Sequence, residues 1–251
     1  MRTTIVKFAL ILILPTLSYA ATQATILRYR FSTGPNGAPV ANAVDSGPFG
    51  FNGVVTGGLT YTSDVPQGGK PFSLNGMADV DYITLAQTQA NAPYLNQVKN
   101  FTLSLYAMPT GGTDADQFGD LIAGKVISNG SGTCLTTYGI YYVSAQKKFV
   151  GGVCKSGGVF FITSADTSPL GFWYKVSLKY TTSADGLTTH VSLIVNGKNE
   201  GKLALKNFGA PTIGNAGFQV GAANFGGSDK GQFRRNFIGL IDEVKLTGTL
   251  P

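Results

Sequence analysis

An all-β fold, two antiparallel sheets packed as a sandwich, is what this sequence predicts, and three observations predict it. Strand-prone segments recur from residue 26 to residue 246, with turn-forming residues between them. Helical periodicity is nearly absent. The 34 Gly and 11 Pro suit tight turns, while the 13 acidic residues, of which only Glu200 and Glu243 are glutamates, disfavour long ion-paired helices. With 16 Phe and 11 Tyr there is ample material for a core, which excludes a disordered chain.

At the N-terminus, Arg2 and Lys7 bracket the approach to an apolar run over 8–14. Pro15 follows, and Ser18-Tyr19-Ala20 supplies a small-x-small cleavage pattern. That order reads as a secretory signal peptide, residues 1–20, with cleavage after Ala20 or as late as Ala24. The run is too short to cross a bilayer, which takes about 20 apolar residues. The expected product is secreted (extracellular, cell-surface or periplasmic), a single domain over 25–251 without a transmembrane segment. Losing Arg2 and Lys7 lowers the formal charge from +6 to +4. No run of five Lys/Arg occurs, so nucleic acid is not an expected partner.

Ile26–Phe31 opens the strand series, alternating bulky residues with Arg28 and Arg30. Phe72–Leu74 and Tyr82–Leu85 follow, then Phe101–Ala107, where Phe101, Leu103, Leu105 and Ala107 share one face. Ala86–Val98, with Pro93 in its middle, reads as a loop with at most a helical turn. Leu121–Ile127, Tyr138–Val143, Phe149–Val153, Val159–Thr163 and Trp173–Thr182 continue the series, with Trp173 assigned to the core. His190–Val195 and Lys202–Leu205 flank Asn196-Gly197, a pair favoured in type I′ hairpin turns. Phe218–Gly221 and Phe237–Leu246 close it. Cys134 and Cys154 lie about evenly either side of the turn Ser144-Ala145-Gln146-Lys147, and an even count in an exported chain reads as one disulfide stapling that hairpin.

Several of these segments, in this order, resemble the laminin-G-like branch of the concanavalin A-like lectin/glucanase superfamily. They are Tyr29-Arg30-Phe31 followed by the loop Asp45–Gly53, the segment Gly69–Gly76, the strand Asn100–Pro109, the Trp-led strand Trp173–Tyr180, the hairpin Val195–Lys198 and the closing strand Phe237–Leu246. The resemblance spans 28–247 and implies a jelly roll. Such folds host lectins, adhesins and hydrolases alike, so it does not settle a function. It also implies a structural Ca²⁺ between the early loop and the closing strand, held by Asp45, Asn52 and Asp242.

Catalysis is not expected. Glycosidases on this fold work with two facing carboxylates, and the resemblance implies an E-x-D-x-x-E-like strand that is missing here. Adjacent strand residues point to opposite faces, which separates Asp242 from Glu243. Asp79 with Asp81, and Asp114, Asp116 and Asp120, read as solvated loop residues or turn caps. His190 is the single histidine, without the segments a lyase or a triad enzyme requires. Ligand recognition remains, by aromatic faces fringed with polar groups: Tyr138, Tyr141 and Tyr142 on the disulfide hairpin, or Asn224, Phe225, Arg234 and Arg235 in the late Gly-rich loop. The reading is a secreted, non-catalytic, lectin-like domain that binds a glycan or an extracellular protein. Its rivals are a carbohydrate-active enzyme with an unrecognised site and an extracellular assembly module.

Overall fold

A computed structural model describes residues 23–251 except 33, 68–72, 77–80, 98, 113–118, 128–135, 156–157, 215 and 223–235. The signal-peptide region, Asp79, Asp114, Asp116, Cys134, Asn224, Phe225, Arg234 and Arg235 therefore lie outside the described residues. The elements run in chain order β1 (Gln23–Tyr29), β2 (Asn42–Ala43), β3 (Gly53–Thr56), β4 (Thr60–Thr62), β5 (Ser73–Gly76), β6 (Tyr82–Leu85), α1 (Ala92–Leu95), β7 (Phe101–Pro109) and β8 (Asp120–Val126). They continue with β9 (Thr136–Val143), β10 (Lys148–Lys155), β11 (Gly158–Thr163), β12 (Tyr174–Thr182), β13 (Thr188–Val195), β14 (Lys198–Lys206), β15 (Phe218–Val220) and β16 (Gly239–Thr249). Among the described residues these form two eight-stranded antiparallel sheets. Sheet A has the order β14-β13-β12-β7-β16-β5-β4, with β1 also paired to β16; sheet B has the order β11-β10-β9-β8-β15-β6-β3-β2. This is the jelly-roll sandwich that the sequence predicts.

The predicted strands are present, with ends shifted by a few residues. β2, β3 and β4 carry no expectation from the sequence, because two to four residues are too few to display a period of two. The helical turn inside 86–98 is α1, with Pro93 in its first turn, where a missing N–H costs nothing. Asn196 and Gly197 both take positive φ, 50° and 82°, as a type I′ turn between β13 and β14 requires.

Alternation along the strands of sheet A drives the packing. Phe101, Leu103, Leu105 and Ala107 of β7 are at most 1% exposed, as are Val176, Leu178 and Tyr180 of β12. They meet the inward side chains of sheet B in one core cluster. Phe101 stacks on Tyr180 with centroids 5.0 Å apart and an interplanar angle of 9°, and lies 4.6 Å from Tyr138 across the sandwich. Burying such rings contributes about 2–3 kcal/mol apiece, and tilted or offset pairs add roughly a further 1 kcal/mol.

Among the described residues one lysine is inside. Lys125 of β8 is fully buried beside Tyr138 and Phe218, and its Nζ donates to the carbonyls of Gly214 (2.9 Å) and Ala216. Those bonds tie Gly214 and Ala216 to β8. Desolvation lowers the Lys125 pKa to about 8. Burial pushes the Tyr142 hydroxyl up to about 12 and raises Tyr29 and Tyr138 as well.

These shifts set the pH dependence of stability. The unfolded chain holds its Lys125 proton up to about 10.5 whereas the folded chain releases it near 8, so stability rises with pH through that window. The tyrosines act oppositely: unfolded phenols ionise near 10 while the buried ones stay neutral, so stability falls above pH 10. Urea unfolding at a series of pH values is expected to show a maximum near pH 10, with a rise on the order of 2–3 kcal/mol from pH 7.5. In Lys125→Met the rise is expected to vanish and the fall above pH 10 to remain; an unchanged rise would assign it to another group.

Candidate functional site

The hairpin tyrosines do not form a surface platform. Tyr138 and Tyr142 are fully buried in the core between the sheets, with hydroxyls donating to Leu95 O and Ser168 O, each at 2.7 Å. Tyr141 points to the other face of sheet B, as alternation requires, yet is only 2% exposed. It packs with Leu121, Val126, Val143 and Val150, its hydroxyl 2.6 Å from Thr136 Oγ1. All three hydroxyls are spent internally, so a ligand has nothing to reach. Trp173 departs the other way: it is half-buried rather than core, and its Nε1 donates to Asp64 Oδ1 at 2.9 Å.

Asp45 and Asn52 come together, but as organisers of their own loop. Asp45 Oδ1 accepts the amides of Arg28 (2.8 Å) and Gly47 (2.7 Å), and Oδ2 accepts that of Phe51 (2.9 Å). Asn52 Oδ1 accepts the Asp45 amide at 2.9 Å. Both lone pairs of Asp45 Oδ1 are occupied by N–H donors. Asp242, fully buried, accepts the amide of Glu243 on Oδ1 at 2.7 Å. Among the described residues no group of three His, Cys, Asp or Glu side chains is placed to hold a metal. The loop also positions a half-buried aromatic trio, Phe49, Phe51 and Tyr94, with centroids 4.5–5.6 Å apart.

Simple alternation also fails at the pair Asp242-Glu243. β16 carries a bulge between Asp242 and Lys245, and Glu243 sits within it at φ 50°. Its carboxylate accepts from Arg28 Nη2 at 2.6 Å and Nε at 2.9 Å, an ion pair that holds the left-handed residue in place. Glu200, 8% exposed, accepts the amide of Asp166 and pairs with Lys198 at 3.0 Å. Both glutamates are thus committed to internal bonds.

What remains accessible is the outer face of sheet A. Where Phe101, Leu103 and Leu105 turn inward, Thr102, Ser104 and Tyr106 turn outward. β12 likewise presents Lys175, Ser177, Lys179 and Thr181, and β13 presents His190, Ser192 and Ile194. Backbone register sets these side chains in rows across the strands. One row runs Thr25, Thr247, Thr102, Lys179, Ser192, Lys202 over β1, β16, β7, β12, β13 and β14. The next begins Arg28, Lys245, Ser104, Ser177. At one end Tyr106 lies beneath the Lys175 ammonium, 5.7 Å from ring centroid to Nζ, and Trp173 immediately precedes the strand. Among the described residues the carboxylates that reach this face are engaged: Glu243 pairs with Arg28, Asp64 accepts from Trp173 and Asp242 is buried, while Lys175, Lys179, Lys202, Lys206 and Lys245 make no ion pair. The sequence already marks which residues turn outward; only the register shows that Lys179 and Lys202 share a row.

The family model Laminin_G_3, described as Concanavalin A-like lectin/glucanases superfamily, matches residues 78–249. This chain belongs to that superfamily. Among solved structures, the binding domain of botulinum neurotoxin DC in complex with SialylT is similar at 13% identity and a TM-score of 0.58, over 91% of this chain and 49% of that one. The same domain in complex with rat synaptotagmin II gives 0.59 at the same identity and coverage. The chain thus spans about half the length of these binding domains, and at that identity the likeness shows the fold. An endo-β-1,4-glucuronan lyase from the fungus Trichoderma reesei is similar more loosely, with a TM-score of 0.48 and 14% identity over 88% of this chain and 94% of that one. A search of the curated proteins found no match. No helix among the described residues is long and apolar enough to cross a membrane.

The Asp45 loop gives a direct test of the metal question. Asp45→Ala removes the acceptor for three amides and is expected to cost about 2–4 kcal/mol. A chelator is expected to leave the wild-type melting temperature unchanged; a fall of several degrees on chelation, restored by Ca²⁺, contradicts this account of the loop.

Proposed function

We propose that this chain is an exported, non-catalytic carbohydrate-binding domain whose contact surface is the outer face of sheet A. The observation that carries the reading is that face itself: a solvent-facing sheet surface with rows of hydroxyls and amines, ending near Tyr106 and the half-buried Trp173. Aromatic rings offer sugar C–H groups an apolar surface, while hydroxyl and ammonium side chains meet the sugar's own hydroxyls in either sense. Membership of a lectin-bearing superfamily supports the reading without deciding it. The internal commitment of Glu200 and Glu243 supports a binder over a glycosidase, which needs two available carboxylates flanking one bond.

Export rests on the leader pattern of residues 1–20, and the Cys134–Cys154 crosslink goes with it. Cys154 is fully buried in β10, and no cysteine among the described residues is free. Intact-mass analysis of the exported protein is expected to find a chain beginning after Ala20 or Ala24 with no alkylatable thiol.

A glycan array followed by product analysis tests the function. Saturable binding without any cleaved product is expected, weakened about tenfold, or about 1.4 kcal/mol, by Trp173→Ala. Release of shortened or unsaturated sugars would establish an enzyme instead, and full affinity in the Trp173 variant would move the contact surface elsewhere.

A further inference from the structure

We infer that the ligand is an acidic polysaccharide, a polyuronate, lying across the strands of sheet A with its carboxylates meeting Lys245, Lys179 and Lys202. This rests on the outer face being the contact surface and adds the chemical class of what it takes. Five lysines, Lys175, Lys179, Lys202, Lys206 and Lys245, stand on one face without a single ion pair, whereas Lys198 at the sheet's margin is paired to Asp166 and Glu200. A face that pairs its arginine, Arg28, with Glu243 but leaves five ammonium groups unpaired is complementary to an anion.

Edge protection explains only part of this. Lysines on an edge strand deter sheet-to-sheet pairing, and Lys202 and Lys206 lie on β14, the edge of sheet A. Lys175 and Lys179 lie on β12 and Lys245 on β16, both interior strands where no edge needs guarding.

Spacing and chemistry then narrow the anion. Lys179 and Lys202 share a row two strands apart, and Lys245 is two strands from Lys179 on the other side, one row along. Neighbouring strands lie about 4.8 Å apart, so the cations recur at roughly 10–12 Å across the sheet. Between them stand Ser104, Ser177, Ser192, Thr102 and Thr247, short hydroxyls that donate and accept. Charged groups at intervals with hydroxyls between describe a chain of hydroxylated sugars bearing carboxylates. Single-stranded nucleic acid would call for aromatic rings along the track on which bases stack, and the rings here stand only at one end. Individual exposed ion pairs are weak, so affinity comes from several engaged together and falls with salt.

The experiment measures binding of the full chain to sodium polygalacturonate, neutral dextran, dextran sulfate and a single-stranded DNA oligonucleotide at two salt concentrations, for wild type, Lys179→Gln/Lys202→Gln and Lys147→Gln. Lys147 is exposed on the β9–β10 turn, away from this face. Expected are binding to polygalacturonate in preference to the other three, at least tenfold weakening in the double variant, and none in Lys147→Gln. Equal binding of dextran, with the double variant unaffected, overturns the acidic class and leaves a carbohydrate-binding domain standing. Preference for dextran sulfate or for DNA also overturns it, by making the ligand a sulfated or a phosphate polymer. Failure of every glycan, on a folded protein, removes the binding-domain reading itself.

Discussion

The two faces of sheet A are set by one constraint, the period of two along its strands. Burying Phe101, Leu103 and Leu105 against sheet B forces Thr102, Ser104 and Tyr106 outward, and the same bargain is struck along β12 and β13. The stacked pair Phe101–Tyr180, with Tyr138 against it from the opposite sheet, locks the register of β7 on β12. A slip of one residue would drive Lys179 into that stack and expose Tyr180. The outward rows of hydroxyls and amines are therefore held by the core beneath them, not by contacts of their own.

Charge is distributed by the same logic. Glutamates and buried aspartates are consumed where the backbone departs from regular strand: Asp45 in its loop, Glu243 in the β16 bulge, Glu200 where β14 is irregular beside β13. Lys175, Lys179, Lys202, Lys206 and Lys245 remain unpaired on the outer face of sheet A. These carboxylates thus hold the sandwich in shape, while the five unpaired lysines of sheet A face solvent.

Alternating apolar residues made the strands and the Asn196-Gly197 turn legible in the sequence, because each is a local pattern with a local cause. The failures share a different cause. Alternation correctly sends Tyr141 and Tyr142 to opposite faces, but it carries no information on whether the outer face of sheet B is covered, so their burial was hidden. Lys125 sits where a strand pattern admits any residue, and nothing nearby in sequence announces the carbonyls of Gly214 and Ala216 that receive it. The Glu243 bulge is held by Arg28, more than two hundred residues away, so the opposite-face argument for Asp242 and Glu243 had no local warning. Trp173 looked like core by type, yet stands one residue before its strand, half-buried, with its Nε1 on Asp64. The row that joins Lys179 to Lys202 needed three-dimensional register, since neither lysine is distinguished in its own segment.

The claim that the outer face of sheet A contacts ligand can be tested at the lysines themselves. Amine acetylation read by peptide mass spectrometry, with and without saturating polygalacturonate, reports each ammonium separately. The account predicts slowed modification of Lys179, Lys202 and Lys245 with Lys147 unchanged. Protection of Lys147 with those three still reactive would place the contact surface on the other side of the sandwich and contradict it.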